Sequence, residues 1–180
     1  LIGAGWSAVF TYLPDYAQNA LGWDPTTAGL VVAVSGLCGI VGRVGWSRLA
    51  ERRLGASATL VALAAIGLVA VLAMLAAGLA QPLLWVASAA LGASSGSWNS
   101  VGMLAIIDRM PSEIAGAASG IVMFGFLVGL GVGAPPFGWA VDLTGSYEPG
   151  LVAVAVVHLA GLWVARTLRS APTHAVGSGP

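Results

Sequence analysis

Charged residues are scarce in this sequence, and lysine is absent. Charge accounts for 8% of the 180 residues, with seven arginines opposing seven acidic residues. An ordinary soluble domain carries about 25% charged residues, so this chain has too few to cover a surface that faces water. A hydrophobic share of 58% and a mean hydropathy of +0.91 indicate a protein of the lipid bilayer. The net charge of zero offers no basic face for nucleic acid.

Motifs for catalysis and for bound cofactors are also missing. The single cysteine, Cys38, cannot form an intrachain disulfide or a cysteine metal cluster. There is no nucleophile–base pair, and no G-x-x-x-x-G-K-[ST] sequence that would bind ATP phosphates. We therefore expect no enzyme, no cofactor, no metal, and no use of ATP as the source of energy.

Long apolar segments are the main feature that is present. A membrane-spanning helix takes roughly 20 apolar residues, and six such segments are separated by glycine, proline and charged residues. They run approximately over 1–20, 27–47, 57–79, 82–107, 114–140 and 149–168. The first begins without a methionine, and we expect its helix to continue upstream. We expect residues 169–180 to form a disordered cytoplasmic tail.

Arginine is confined to one side of these segments. It occurs at the end of the second segment, in the second and fourth connections, and at or after the end of the sixth: positions 43, 48, 52, 53, 109, 166 and 169. These places share one side of a membrane if each segment crosses it. By the positive-inside rule that side is cytoplasmic. The sequence therefore predicts a multi-pass protein of the cell (inner) membrane, with its arginine-rich loops and C-terminus in the cytoplasm.

Three stretches resemble the C-terminal half of the major facilitator superfamily. Gly42-Arg43 followed by residues 48–55 (RLAERRLG) is similar to the cytoplasmic loop signature of that family. Residues 138–147 (GWAVDLTGSY) are similar to the end of its eleventh helix, and residues 12–16 (YLPDY) to the broken outer end of its seventh. The resemblance implies a partner, the N-terminal six-helix half of the same protein.

The second and fifth segments end alike, with an acid followed by a glycine. Glu51 precedes Gly55, and Asp142 precedes Gly145. The two segments lie three apart and point in opposite directions, as a three-plus-three inverted repeat predicts. The expected fold is therefore all-α, with six transmembrane helices over residues 1–168 as half of a twelve-helix carrier.

Seven residues are candidates for gating. Charge-assisted pairs in the arginine-rich loop could latch a closed state, although such arginines could equally serve orientation alone. A four-residue glycine spacing lets helices approach closely. Pro14 and Pro135-Pro136 predict breaks near the outer ends of the first and fifth helices, where either a gate or a static kink would fit. The candidates are Arg48, Glu51, Arg52, Pro14, Gly129, Gly133 and Asp142.

Six residues are candidates for contact with a small-molecule substrate. Asn99 and Trp98 lie in a polar stretch of the fourth segment, where unpaired polar groups are costly in lipid. Trp6, Tyr12 and Tyr16 offer aromatic faces on the first segment, with anchoring at the membrane interface as the competing interpretation. The sixth candidate is Arg43, one turn inside the cytoplasmic end, which could meet an anion. We interpret His158 as a packed or lipid-edge residue outside the site.

These features favour a secondary transporter that works by alternating access on a small organic solute. The family resemblance implies proton coupling. An organic anion is preferred as substrate because of Arg43 and an overall likeness to cyanate- and monocarboxylate-type carriers, and drug efflux stays open. The alternative is a non-transporting membrane scaffold, or a truncated remnant that is inactive on its own.

Overall fold

The structure, a computed structural model, describes residues 1–170 as a bundle of helices. The α-helices are α1 (Ile2–Asn19), α2 (Pro25–Leu49), α3 (Ala56–Leu75), α4 (Pro82–Ser94), α5 (Trp98–Ile107), α6 (Ser112–Thr144) and α7 (Glu148–Ser170). A π-helical turn (Ala50–Leu54) follows α2, and a 3-10 turn (Ala76–Gly78) follows α3. The expected tail over 169–180 begins inside α7, and its residues 171–180 lie outside the described residues.

Five of the six predicted segments are each one α-helix, and the fourth is divided between α4 and α5. Within residues 1–170, four helical stretches are long and apolar enough to cross a membrane: Pro25–Leu54, Ala56–Gly78, Ser112–Thr144 and Glu148–Thr167. The prediction of an all-α membrane protein is therefore confirmed. Six crossings remain a prediction for α1, with 18 residues, and for the short helices α4 and α5.

The expected breaks at proline were wrong. Pro14 lies inside an uninterrupted α1, and Pro135 and Pro136 lie inside an uninterrupted α6. A proline removes one backbone donor, and a membrane helix tolerates that loss where neighbouring groups satisfy the freed carbonyl. The arginine-rich loop is also more helical than expected, because the π-helical turn carries α2 on to Gly55, whose φ of 75° ends it.

Glycines allow close packing of two helix pairs, α1 with α6 and α2 with α4. The helix α1 packs along α6, where a methyl group at Gly129 would lie 3.0 Å from the Ala4 nitrogen. In the same way α2 packs along α4, where a methyl group at Gly42 would lie 2.7 Å from the Ala93 carbonyl oxygen. Gly133 and Gly39 belong to these contacts. Other regularly spaced glycines of α2 and α6 face open space: Gly36, Gly45, Gly116, Gly120 and Gly125.

The outer surfaces of α2 and α6 are apolar. The side chains of Ile40 and Val41 are 65% exposed, and those of Ile121 and Trp139 are 74% and 67% exposed. Exposed apolar surface of this extent needs lipid or another protein surface to cover it. The compact core lies around the fully buried Leu13, chiefly between α1, α3, α4 and α7, and the inner sides of α2 and α6 add Val31 and Phe137 to it.

The connections gather at two ends of the bundle, as the arginine pattern predicts. At one end, Arg109 Nη2 donates to Ser57 Oγ at 2.7 Å, which joins the fourth connection to the start of α3. Arg109 and Arg169 also line one hollow there. At the other end, Trp23 Nε1 donates to Gln81 Oε1 at 3.0 Å, joining the first and third connections.

Asp24 starts α2 at the end of the bundle that lacks arginine. Its Oδ1 accepts hydrogen bonds from the Thr26 and Thr27 backbone N–H groups at 3.0 and 3.1 Å. The Thr27 hydroxyl donates to its other carboxylate oxygen. These bonds, that of the Thr27 hydroxyl most of all, lower the pKa of Asp24. Asp24 therefore caps the N-terminus of α2, and Pro25 occupies its first position.

A glycine pair tests the close packing of α2 on α4. We expect Gly92→Ala to lower the free energy of unfolding by about 1–3 kcal/mol, the usual cost of overpacking, because the new methyl group would overlap the Ser35 carbonyl group of α2. Gly36→Ala is the matched control, since that glycine faces open space and alanine favours helix. Thermal unfolding of both variants in detergent measures the difference, and equal midpoints would contradict the packing.

Candidate functional site

Ser95, Gly96 and Ser97 interrupt the fourth segment between α4 and α5. The Gly96 N–H donates five residues back, to the Leu91 carbonyl oxygen at 3.3 Å, and the Ser97 N–H donates three back, to that of Ser94 at 2.9 Å. The regular four-residue spacing is therefore lost. Serine competes for backbone hydrogen bonds and glycine has excess conformational freedom, so this composition favours a break.

Side chains of α2 satisfy carbonyl groups at the break. Trp46 Nε1 donates to the Ala93 carbonyl oxygen at 2.8 Å, and Arg43 Nε donates to that of Gly96 at 3.1 Å. Lipid offers no hydrogen bonds, so an irregular backbone in a membrane is tolerated only where protein or water satisfies it. A break held in this way is a feature of transporter binding sites.

Four of the six expected substrate residues surround this break. Arg43 bonds to it directly, and Trp98 and Asn99 begin the helix that follows it. Trp6 packs on it from α1, since a methyl group at Gly96 would lie 3.2 Å from Trp6 Cη2. We call these four residues the break cluster. The sequence predicted its members but not the break that unites them.

The first three residues of α5, Trp98, Asn99 and Ser100, lie on different sides of the helix. Successive helix residues point about 100° apart. Trp98 meets Phe126 of α6 edge-on, with ring centroids 5.3 Å apart, whereas the Ser100 hydroxyl donates to the Arg43 carbonyl oxygen of α2 at 3.4 Å. Asn99 therefore lies between the side of α5 that meets α6 and the side that meets α2.

Two members of the break cluster have buried polar atoms that lack a hydrogen-bond partner within the described residues. These atoms are Trp98 Nε1 and Asn99 Oδ1, and Ser35 Oγ of α2 is a third. A buried polar atom without a partner costs about 1–3 kcal/mol. The side chain of Arg43 is exposed, and its hydrogen bond uses Nε alone among the described residues. A polar solute on the side of the break that carries Asn99 could bind Asn99 Oδ1 and the remaining N–H groups of Arg43.

A largely apolar pocket of about 510 Å³, partly open to the outside, lies next to Trp98. Its walls come from α1, α3, α5, α6 and α7, and include Leu60, Gly102 and Phe126. The ring of Trp98 therefore borders this pocket, on a different side of α5 from Asn99. The two neighbouring candidates do not share one surface, which their adjacency in the sequence could not reveal.

Tyr12 and Tyr16 lie away from the break. The Tyr16 hydroxyl is buried and donates to the Met74 carbonyl oxygen at 3.0 Å, and its ring meets Tyr147 edge-on, with centroids 5.3 Å apart. The ring of Tyr12 stacks on Phe137 of α6, with centroids 5.0 Å apart. The structure places both in an aromatic cluster near the end of α1, so we leave them out of the break cluster.

Asp15 and Tyr147 join α1 to the connection between α6 and α7. The Tyr147 hydroxyl donates to the Asp15 carboxylate, which also accepts from Asn19 Nδ2 at 2.7 Å. Burial, together with the bond to Asp15, raises the pKa of Tyr147 to about 12. The two residues are 132 positions apart, so no local pattern in the sequence predicts this contact.

The expected gating charges are exposed. Arg48, Glu51 and Arg52 are all exposed, and Glu51 forms no ion pair with any residue of the described range. Asp142 is also exposed, one turn before Gly145, whose φ of 67° ends α6. These charges are therefore available to groups outside this bundle, while Gly129 and Gly133 hold α6 against α1.

The structure places His158 in the core, 3% exposed, in agreement with the interpretation as a packed residue. Its Nε2 lies 3.2 Å from Ser95 Oγ, at the break. Ser95 is 63 positions away in the sequence, so no local pattern indicates the contact. Within residues 1–170, no group of three His, Cys, Asp or Glu residues is arranged to hold a metal ion.

Comparison with known proteins gives a family match over almost the whole chain. A family model described as the Major Facilitator Superfamily matches residues 1–179. Monocarboxylate transporter 13 of Rattus norvegicus is 30% identical over 168 residues, which cover 93% of this chain and 39% of the rat protein. Monocarboxylate transporter 13 of Bos taurus is 29% identical over 178 residues, covering 96% of this chain and 42% of the bovine protein. The chain thus spans about two fifths of these relatives, and no solved structure matches it significantly.

Proposed function

The chain belongs to the major facilitator superfamily, and we propose that it is the C-terminal, six-crossing half of a secondary transporter for small organic solutes. The partner is the N-terminal six-helix half of the same protein, which would cover the apolar surfaces of α2 and α6. The position of the break cluster beside these two helices is the observation that carries the proposal.

Helix pairing supports a three-plus-three inverted repeat. Treating α4 and α5 as one segment, the first segment pairs with the fifth through glycines, and the second pairs with the fourth through glycines. An inverted repeat relates each of these pairings to the other. Gly55 and Gly145 end the second and fifth segments, both with positive φ, although ψ is 156° at Gly55 and 13° at Gly145. Alternating access in such folds is a rocking of one repeat or bundle against another.

We propose that the substrate is an organic anion and that Arg43 binds its charged group. A guanidinium forms strong, charge-assisted hydrogen bonds with a carboxylate. The guanidinium of Arg43 is already held at the break, because its Nε donates to the Gly96 carbonyl oxygen. Asn99 would bind a second polar group of the solute, and Trp6 would contact its apolar part. Similarity to two proteins named as monocarboxylate transporters supports a carboxylate over a cationic drug.

Proton coupling is the second part of this proposal. The seven acidic residues of the chain lie in connections or within a few turns of helix ends: Asp15, Asp24, Glu51, Asp108, Glu113, Asp142 and Glu148. A carboxyl group that carries a proton at mid-membrane would therefore belong to the other half. We also propose a gate at the cytoplasmic end, where Glu51, Arg48 and Arg52 form ion pairs with charged residues of the N-terminal half.

Uptake by the full-length protein tests the substrate. We expect proteoliposomes to accumulate a short-chain monocarboxylate when an inward proton gradient is imposed, and to lose that accumulation with an uncoupler. Arg43→Gln should raise the KM for the carboxylate about tenfold or more, because the charge-assisted bond is lost. It should change the KM for the matching neutral amide far less, if that amide is carried at all.

Arg53→Gln is the matched control for the substrate test, since it removes an exposed arginine that we place outside the break cluster and the gate. Its KM should equal that of the unmodified protein. Absence of uptake for carboxylates, amides and organic cations alike would favour the non-transporting scaffold. Uptake of organic cations alone would favour drug efflux.

Glu51→Gln tests the gate. An exposed ion pair contributes about 0.2–1 kcal/mol, so we expect the maximal uptake rate to change by about two- to fivefold while the KM for the carboxylate stays nearly constant. Asp108→Asn is the control, because it removes another exposed acid from the same end of the bundle. Identical kinetics for Glu51→Gln and the unmodified protein would leave the arginine-rich turn with a role in orientation only.

A further inference from the structure

His158 of α7 packs against both α1 and α3. Its ring faces Gly5 of α1, where a methyl group would lie 2.6 Å from His158 Cε1, and Gly67 of α3, where a methyl group would lie 2.9 Å from Cδ2. Larger side chains at these two positions would displace the ring. The position of the imidazole is therefore fixed by the packing of α1 and α3, independently of any hydrogen bond.

Both ring nitrogens of His158 have a partner. Nδ1 lies 2.9 Å from the carbonyl oxygen of Val154, which can only accept, so Nδ1 carries a proton. In the neutral ring, Nε2 is then an acceptor. It lies 3.2 Å from Ser95 Oγ, so the serine hydroxyl donates to it. The break therefore supplies the donor of this hydrogen bond, and α7 supplies the acceptor.

Ser95 and Ser97 hold the break from opposite sides. The Ser97 hydroxyl donates to the Gly39 carbonyl oxygen of α2 at 3.0 Å, while the Ser95 hydroxyl reaches α7 through His158. Each serine is 5% exposed or less, so water does not compete for either bond. The direction in which α5 leaves the break depends on both contacts.

We propose that His158 is a positioning residue for the break cluster: through Ser95 it fixes the break, and through the break it sets the orientation of Asn99. The helix α7 would thereby influence the orientation of Asn99 through the break. The structural part stands on the hydrogen bonds of the described residues. Its consequence for transport rests on the proposed function.

A labelling experiment on the full-length protein tests the structural part without any need for transport. Cys38 and any other cysteines are replaced by serine, Asn99→Cys is introduced, and the rate of its reaction with a soluble maleimide is measured in detergent. We expect His158→Leu and Ser95→Ala each to raise that rate about three- to tenfold, as loss of one buried hydrogen bond implies. The double variant should show no more than the larger single effect, because both changes remove one contact.

Two controls separate positioning from general destabilisation. His158→Gln places an amide near the position of Nε2 and can accept from Ser95, so it should restore the original labelling rate. Ser94→Ala removes a neighbouring buried hydroxyl that bonds within α4, to the Ala90 carbonyl oxygen at 2.7 Å, and should leave the rate unchanged.

Three results would overturn the proposal. They are an unchanged rate in Ser95→Ala, a rate in His158→Gln as high as in His158→Leu, or fully additive effects in the double variant. If the histidine variants do not fold, Ser95→Ala against Ser94→Ala decides alone, since each removes one oxygen atom. Altered labelling together with a negative uptake panel would remove the proposed transport function and leave the positioning role intact.

Discussion

A bilayer interior offers no hydrogen bonds to the backbone, and this constraint governs the structure. Regular helices satisfy their own N–H and C=O groups, which is why apolar segments of this length form helices. Where the regular spacing of backbone hydrogen bonds is lost, at Ser95–Ser97, side chains must supply partners for the free backbone groups. Trp46 and Arg43 of α2 do so from one side, and on the other side the side-chain hydroxyl of Ser95 bonds to His158 of α7. The irregular backbone is thus tied to two helices at once.

The same constraint explains the use of glycine. Lipid is as apolar as the helices, so burial of apolar surface gives little drive for association, and close contact becomes more important. Gly129 and Gly133 let α6 meet the backbone of α1, and Gly42 and Gly92 let α2 meet that of α4. These two contacts leave the far sides of α2 and α6 apolar and exposed, where the proposed second half would pack.

Much of the fold follows from local patterns in the sequence. Hydropathy predicts the apolar helices, and arginine positions predict which connections share an end. Glycine spacing predicts close helix contacts, but not which glycines make them, since Gly36 and Gly125 face open space. The break did not follow, because a serine-rich stretch in lipid is equally compatible with a helix whose hydroxyls bond to its own turns, as that of Ser94 does. The bonds of His158 to Ser95 and of Tyr147 to Asp15 join residues far apart in the chain, and no local pattern encodes them. The prediction of breaks at the prolines was wrong for a related reason, since the effect of a proline on a helix depends on neighbours that the sequence does not identify.

The central claim is that α2 crosses a bilayer, from Asp24 at one surface to the arginine-rich turn at the other. Single cysteines at positions 24 and 52, in the full-length protein without other cysteines, test it in intact cells with a membrane-impermeant maleimide. The account predicts that Cys at position 24 reacts at once and that Cys at position 52 reacts only after the cells are permeabilised. Equal reaction of both positions in intact cells, or purification of the protein without detergent, would contradict it.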